Sequence, residues 1–115
     1  MLRTERQTMD RRLRKRYEAR AEIAKALAHP TRLFLLDELS RGERCVCELT
    51  EEVGADISTV SKHLAILRNA GLVQDEKRGV QVFYQILCPC IPNMFKCLES
   101  ILEANADRKY ESVSA

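Results

Sequence analysis

The side chains of this chain whose types and spacing lend themselves to chemistry are its five cysteines: Cys45 and Cys47, Cys88 and Cys90, and Cys97. A thiolate is a soft ligand and selects soft ions, and a Cys-x-Cys pair offers two sulfurs to one centre. On a regular helix, residues two apart point about 200° away from each other. Cys45 and Cys47 are therefore expected to share an ion only if the helix start is distorted. Cys88 and Cys90 flank Pro89 at the mouth of a C-terminal helix, where the helix N-terminus favours the thiolate form. They are candidates for a third ligand, for a separate site or for a redox pair. Cys97 lies two turns further on, roughly 10 Å along a helix, and is expected to pack. The plainer role for any of the five is that of a small buried hydrophobe. Neither His29 nor His63 lies near a cysteine in sequence, and no base with an orienting partner is visible, so an enzyme is not indicated.

The bounds set by composition agree with a small regulatory or binding protein. A chain of 115 residues makes one domain with a modest core. No apolar run approaches the roughly 20 residues that span a bilayer, and the N-terminus has no apolar signal core, so no membrane association and a cytoplasmic location are expected. The thiols are then expected to be reduced. The net charge of +2 hides an asymmetry, because residues 1–20 carry eight basic residues against three acids. A basic arm on a slightly acidic body is one footprint of a phosphate-backbone partner, although a solvated helical face has the same composition.

Several elements must position these groups. Residues 1–16 read as a basic arm passing into a first helix, whose apolar stripe starts at Leu13 and ends near Ala28. His29-Pro30 breaks it, and Pro30 opens a second helix running to Leu39, with Leu33, Leu36 and Leu39 on one face. Residues 43–49 open a short third helix that Gly54 ends. Asp56 is placed to cap a fourth helix and Gly71 to end it. On that helix Ile57, Val60, Leu64 and Leu67 share an apolar face, and Ser58, Thr59, Lys62 and Asn69 lie opposite. A short helix, a Gly-containing turn and a second helix with small polar groups form a helix-turn-helix signature. Ser58, Thr59, Ser61 and Lys62 suit the edges of DNA bases, and His63 at the edge suits packing or a phosphate. Residues 72–74 and 80–86 read as strands around a charged turn at 75–79. The result is a hairpin wing with Lys77 and Arg78 at its tip. A last amphipathic helix follows from about Pro92 to Arg108, with a loose tail at 109–115, so that 17–108 forms the body. Its stripe needs a surface to bury against, and a second copy of the chain is the expected one.

With Ala28-His-Pro-Thr-Arg-Leu33 and Ser61-Lys-His-Leu64 followed by Ala70-Gly-Leu-Val73, the chain from about Ala21 to Ile86 resembles the ArsR/SmtB family of bacterial metal-responsive repressors. The resemblance implies a mainly α winged helix-turn-helix with a β-hairpin wing. It implies a homodimer on double-stranded operator DNA that leaves when an inducer binds. Glu43-Arg-Cys-Val-Cys-Glu-Leu49 is similar to the family's metal box, ELCVCDL. That similarity implies arsenite or antimonite as inducer at Cys45 and Cys47, with cadmium or lead as alternative ions and no organic cofactor. Three departures bear on the ligand set. Thr50 stands where some arsenite sensors have a third cysteine. The arm has none of the cysteines that cadmium and lead sensors recruit. Both histidines lie upstream of the last helix, so the family's zinc site there is not supported. A third thiolate is then expected from Cys88 or Cys90, of the same or a second copy. Two other functions are compatible with the residues: a repressor of the same fold that senses reactive sulfur or oxidants through a cysteine pair, and a thiol metal buffer that binds no operator.

Overall fold

A computed structural model describes residues 8–114, with side chains through residue 110. Arg3 and Arg6 of the basic arm lie outside the described residues. Chain order is α1 (Arg11–Leu27), α2 (Pro30–Leu39), β1 (Arg44–Cys45), α3 (Val46–Val53), α4 (Ile57–Asn69), β2 (Val73–Arg78), β3 (Gln81–Ile86) and α5 (Ile91–Ser114).

The helix ends follow from local chemistry. The Leu13 N–H donates to Asp10 Oδ1 at 2.8 Å, so α1 starts inside the basic arm, and Arg11, Arg12, Arg14, Lys15 and Arg16 are helical and exposed. His29, held extended before Pro30, caps α2 by accepting the Thr31 N–H on Nδ1 at 3.1 Å. Gly54 ends α3 at φ 77°, a left-handed conformation that costs a residue with a Cβ about 1 kcal/mol or more. Asp56 then opens α4 by accepting the Thr59 N–H at 2.7 Å.

Leu35, Leu36, Leu49, Val60, Leu64, Leu67 and Val73 are the largest fully buried side chains. They join the inner faces of α2, α3 and α4 to the sheet, with Tyr84 and Ile91 in the same cluster. The expected faces need adjusting at two places. On α2 Leu36 and Leu39 are buried as expected, but Leu35 joins them and Leu33 is only half-buried. On α4 Ile57 is not in the core but 58% exposed, because the first turn projects past α3 towards the wing.

The sheet has three antiparallel strands in the order β1-β3-β2. The expected turn at 75–79 is instead strand: Arg78 pairs with Gln81, and Gly79-Val80 alone make the turn. Asp75 to Arg78 read as turn because they are charged, but β2 is an edge strand, where charges face water and discourage further pairing. Residues 44 and 45 form β1, opposite Tyr84 and Phe83, and do not start the third helix as expected. Two residues are too short for an alternating pattern to register. The last helix also exceeds its expected span. Lys109 onward continues it to Ser114 rather than forming a loose tail. Ile91 is buried and Met94 and Phe95 are half-buried, but Leu98, Ile101 and Leu102 are exposed, so the stripe of α5 is uncovered beyond its first turns.

Leu64→Ala removes a fully buried side chain and is expected to cost about 2–5 kcal/mol. Ile57→Ala is expected to stay within about 0.5 kcal/mol. Urea unfolding at one protein concentration measures both, and equal losses would contradict the placement of Ile57.

Candidate functional site

Helix α4 presents the expected polar groups. Ser58, Thr59, Ser61 and Lys62 are all exposed. The Ser58 hydroxyl donates to Asp56 Oδ1 at 3.0 Å, and hydrogen bonds from Thr59, then Ser58, hold the Asp56 carboxyl below its usual range. Ser61 sits apart from the others, on the side turned towards Val46, Cys47 and the wing.

His63 is fixed among protein groups. It is half-buried, its ring centroid lies 4.4 Å from that of His29, and its Nδ1 is 3.1 Å from a guanidinium nitrogen of Arg32. A guanidinium only donates, so Nδ1 accepts and the ring proton sits on Nε2. Arg32 also donates to the carbonyl oxygens of Ala26 at 2.6 Å and Lys25 at 3.4 Å. One arginine thereby fastens the C-terminal end of α1 and α4 to α2. Burial first, then the His29 and Arg32 charges, push the His63 pKa down.

On the wing, Lys77 and Arg78 lie in β2, two residues and one residue from the turn respectively. Lys77 is exposed and makes no ion pair among the described residues. Arg78 is heavily engaged. It donates to both carboxylate oxygens of Glu43 at 2.8 and 2.6 Å and to Glu76 at 2.6 Å, and lies 4.6 Å over the Phe83 ring. The arginine holds the Glu43 carboxyl below its usual range, and the two carboxylates raise the Arg78 pKa. Sequence spacing gave no sign of this clasp, since its partners are 35 residues apart and meet only because β1 pairs with β3.

The thiols are arranged differently from expectation. Cys45 is the N-cap of α3, extended at φ −83°, ψ 158°. Its Sγ accepts the Glu48 N–H at 3.4 Å, and Glu48 Oε1 accepts the Cys45 N–H at 3.0 Å, a reciprocal capping box. Because Cys45 is outside the helix, the 200° separation does not apply. Its Sγ lies 3.0 Å from Cys47 Sγ with no distortion of α3. Cys45 is buried and Cys47 exposed. The adjacent Cys47 sulfur first, and burial second, push the Cys45 thiol pKa up. Gln81 at the foot of β3 donates from Nε2 to Cys47 Sγ at 3.9 Å.

Cys88 and Cys90 are joined as a disulfide, Cα–Cα 5.3 Å, which corrects the expectation that all five thiols are reduced. They also lie far from the first pair. Cys45 faces Phe83, and Cys88 is five residues further along, about 16 Å at strand spacing. Within one protomer Cys88 and Cys90 therefore do not supply the third sulfur expected of them. Among the described residues, no group of three or more His, Cys, Asp or Glu side chains is gathered to hold a metal ion. Cys97 is exposed on α5 and does not pack into the core as expected.

Comparison with known proteins gives a consistent result. The family of bacterial regulatory proteins described as arsR matches residues 29–75. An uncharacterised helix-turn-helix transcriptional regulator of Methanocaldococcus jannaschii is 38% identical over 87 residues, covering 75% of this chain and 98% of that one. An arsenic resistance transcriptional regulator of Pseudomonas putida is 37% identical over 87 residues, covering 74% and 67%. The solution structure of a homodimeric winged helix-turn-helix DNA-binding domain from Mycobacterium bovis superposes with a TM-score of 0.73 at 28% identity, covering 84% of this chain and 90% of that one.

The His63 contact has a pH signature. Folding favours the neutral ring, so below about pH 6.5 the unfolded chain binds more protons. The contribution is full above that pH and is lost as pH falls through the lowered folded value. The urea midpoint is expected to drop between about pH 7.5 and about pH 5.5, and to drop less in His63→Gln. Equal drops would show that the ring titrates as it does in solution.

Proposed function

The chain belongs to the arsR family of bacterial regulatory proteins, winged helix-turn-helix transcriptional regulators that bind DNA, and from that premise we propose that it is a dimeric repressor released from its operator when arsenite or antimonite binds Cys45 and Cys47. The single observation that carries this reading is the 3.0 Å contact between the two sulfurs at the start of α3. Two thiols in contact, one of them exposed, form a ready chelate for a thiophilic centre. They sit at the start of α3, the helix that only the Gly54–Asp56 turn separates from α4. The similarity to an arsenic resistance regulator supports the ion, and cadmium and lead remain the alternatives.

The DNA-facing roles follow from position and charge. One α4 per half-site enters the major groove, with Ser58, Thr59, Ser61 and Lys62 towards base edges. Lys77 contacts the backbone, and Arg78 joins it on giving up Glu43 for a phosphate. His63 acts by holding α4 on α2. The basic residues of 1–16 add sequence-independent phosphate contacts. The uncovered stripe of α5 and the exposed Tyr17 and Ile23 of α1 supply the contact between two copies, as the homodimeric relative suggests.

Release follows from the cap. When Cys45 Sγ bonds to an ion, the new bond redirects the sulfur away from the Glu48 N–H, and the capping box opens. The start of α3 shifts, and with it β1 and the turn into α4. A coupling of about 1–3 kcal/mol, or 5- to 150-fold in operator affinity, is the usual range.

A second reading has its own observation. The bond between Cys88 and Cys90 makes a sulfur redox switch at the mouth of α5 the alternative signal. A metal buffer without an operator does not suit a member of this family.

Cys45→Ser separates the readings. Serine is itself a strong N-cap, so the variant is expected to fold and to bind operator as the parent does, while losing arsenite-induced release in a mobility-shift titration. A variant that still released fully with arsenite would overturn the proposal. Release of the parent only by a polysulfide, abolished in Cys88→Ser, would establish the second reading.

A further inference from the structure

We infer that Val80, at the tip of the wing, is a specificity-determining residue for DNA: its side chain enters the minor groove beside each half-site and selects A·T over G·C pairs there. The inference rests on α4 lying in the major groove. It goes beyond the polar and charged contacts assigned to α4, Lys77 and Arg78.

The turn gives Val80 no local reason to be there. Arg78 pairs with Gln81, so only Gly79 and Val80 connect the strands. Gly79 has φ 64°, and no residue other than glycine has a positive φ among the described residues. A glycine at positive φ followed by a residue at negative φ is the type II′ arrangement. Such turns favour Gly, Asn, Asp and Ser, not a β-branched apolar residue. Packing does not place Val80 either, since it is 97% exposed. A local rule broken with no gain inside the protein is expected at a functional position. Gly79 has no side chain, so Val80 is the foremost side chain of the hairpin.

Its position points to DNA rather than to a second copy. β3 runs about 17 Å from Gln81 to Ile86 before the chain passes into α5, so the uncovered stripe of α5 lies at the other end of the hairpin. Val80 instead borders a cleft of about 360 Å³ that Ile57 and Ser61 of α4 also line. The exposed Ser61 hydroxyl, unpaired among the described residues, is free for the DNA strand that passes between helix and wing. With α4 in the major groove, a tip on the far side of that strand meets the neighbouring minor groove. Lys77, exposed and without an ion pair among the described residues, supplies charge for the phosphates beside it. The walls of the minor groove are deoxyribose C–H groups. Its floor carries only acceptors at A·T pairs, and G·C adds the 2-amino donor of guanine. Val80 has no hydrogen-bonding group, so at G·C it meets an amine that it cannot bond. At A·T runs the groove narrows and both walls come into reach. Longer apolar wedges part base steps, whereas valine is short and reads the groove by contact.

The test is a mobility shift with the full chain and a duplex that it selects from a random pool. The pairs under the wing, mapped by hydroxyl-radical protection, are made A·T, G·C or inosine·C. The last has the minor-groove face of A·T and the major-groove face of G·C. A·T and inosine·C are expected to bind alike, and G·C about fivefold more weakly, a part of what full burial of a valine implies. Val80→Ser, which suits the turn, is expected to bind all three at the G·C level. Lys62→Ala is expected to weaken all three equally. Inosine·C that behaves as G·C, indifference to the flank, or a preference that survives Val80→Ser overturns the inference. So does a changed sedimentation coefficient of DNA-free Val80→Ser, which would place a second copy on the tip. If Lys62→Ala binds as the parent does, the placement of α4 falls, and the inference with it.

Discussion

Cys45 is the one residue through which the thiol chemistry and the DNA-reading elements meet. It ends β1, caps α3 and forms half of the sulfur pair. Its backbone is paired with Phe83, so it cannot move without the sheet, and its sulfur is the acceptor for the first turn of α3. The rest of the structure is built around holding that junction. Leu49 and Val60, both fully buried, lock α3 against α4. Arg44 pairs with Glu38 and Glu52, tying the strand before the cap to α2 and to the far end of α3. A ligand that claims the Cys45 sulfur therefore disturbs a point at which sheet, cap and turn are already constrained together. The raised thiol pKa adds a chemical condition. An ion must release the Cys45 proton to solvent, whereas the hydroxide of an arsenous acid takes that proton and leaves as water.

The electrostatics of the wing oppose tight binding by default. Arg78 is shared between Glu43 and Glu76, and a phosphate must compete with both. Glu43 lies two residues before Cys45, so the clasp reaches from the wing to the segment that leads into the thiol pair. Lys77, beside it, carries its charge without such a partner among the described residues. In the proposed mechanism a DNA phosphate at Arg78 and a ligand at the cap would act on opposite ends of one short connection, β1, which would give reciprocal coupling a physical path.

Much of the architecture was legible in the sequence because it depends on local rules. Pro30 dates the start of α2, Asp56 caps α4, Gly54 ends α3, and period-3.6 stripes mark Val60, Leu64 and Leu67 as core. The metal-box pattern drew attention to Cys45 and Cys47. What the sequence hid is long-range. A two-residue strand carries no period, and without β1 Cys45 looks like a helical residue pointing away from Cys47. The charged run 75–78 imitates a turn until its edge position is known. Ile57 fits the apolar face of α4 by angle and still escapes the core, because burial depends on what stands opposite. The reach of Arg78 to Glu43 and the distance from Cys45 to Cys88 both follow from strand pairing, which residue types alone do not encode.

In the proposed mechanism, ligand binding at the sulfur pair opens the cap of α3. Amide hydrogen exchange at Glu48, followed by NMR with and without one equivalent of arsenite, measures that directly. The Glu48 amide, bonded to Cys45 Sγ in the free protein, is expected to exchange faster on loading, while amides in the middle of α2 keep their protection. A Glu48 amide equally protected in a loaded protein that has left its operator would contradict it.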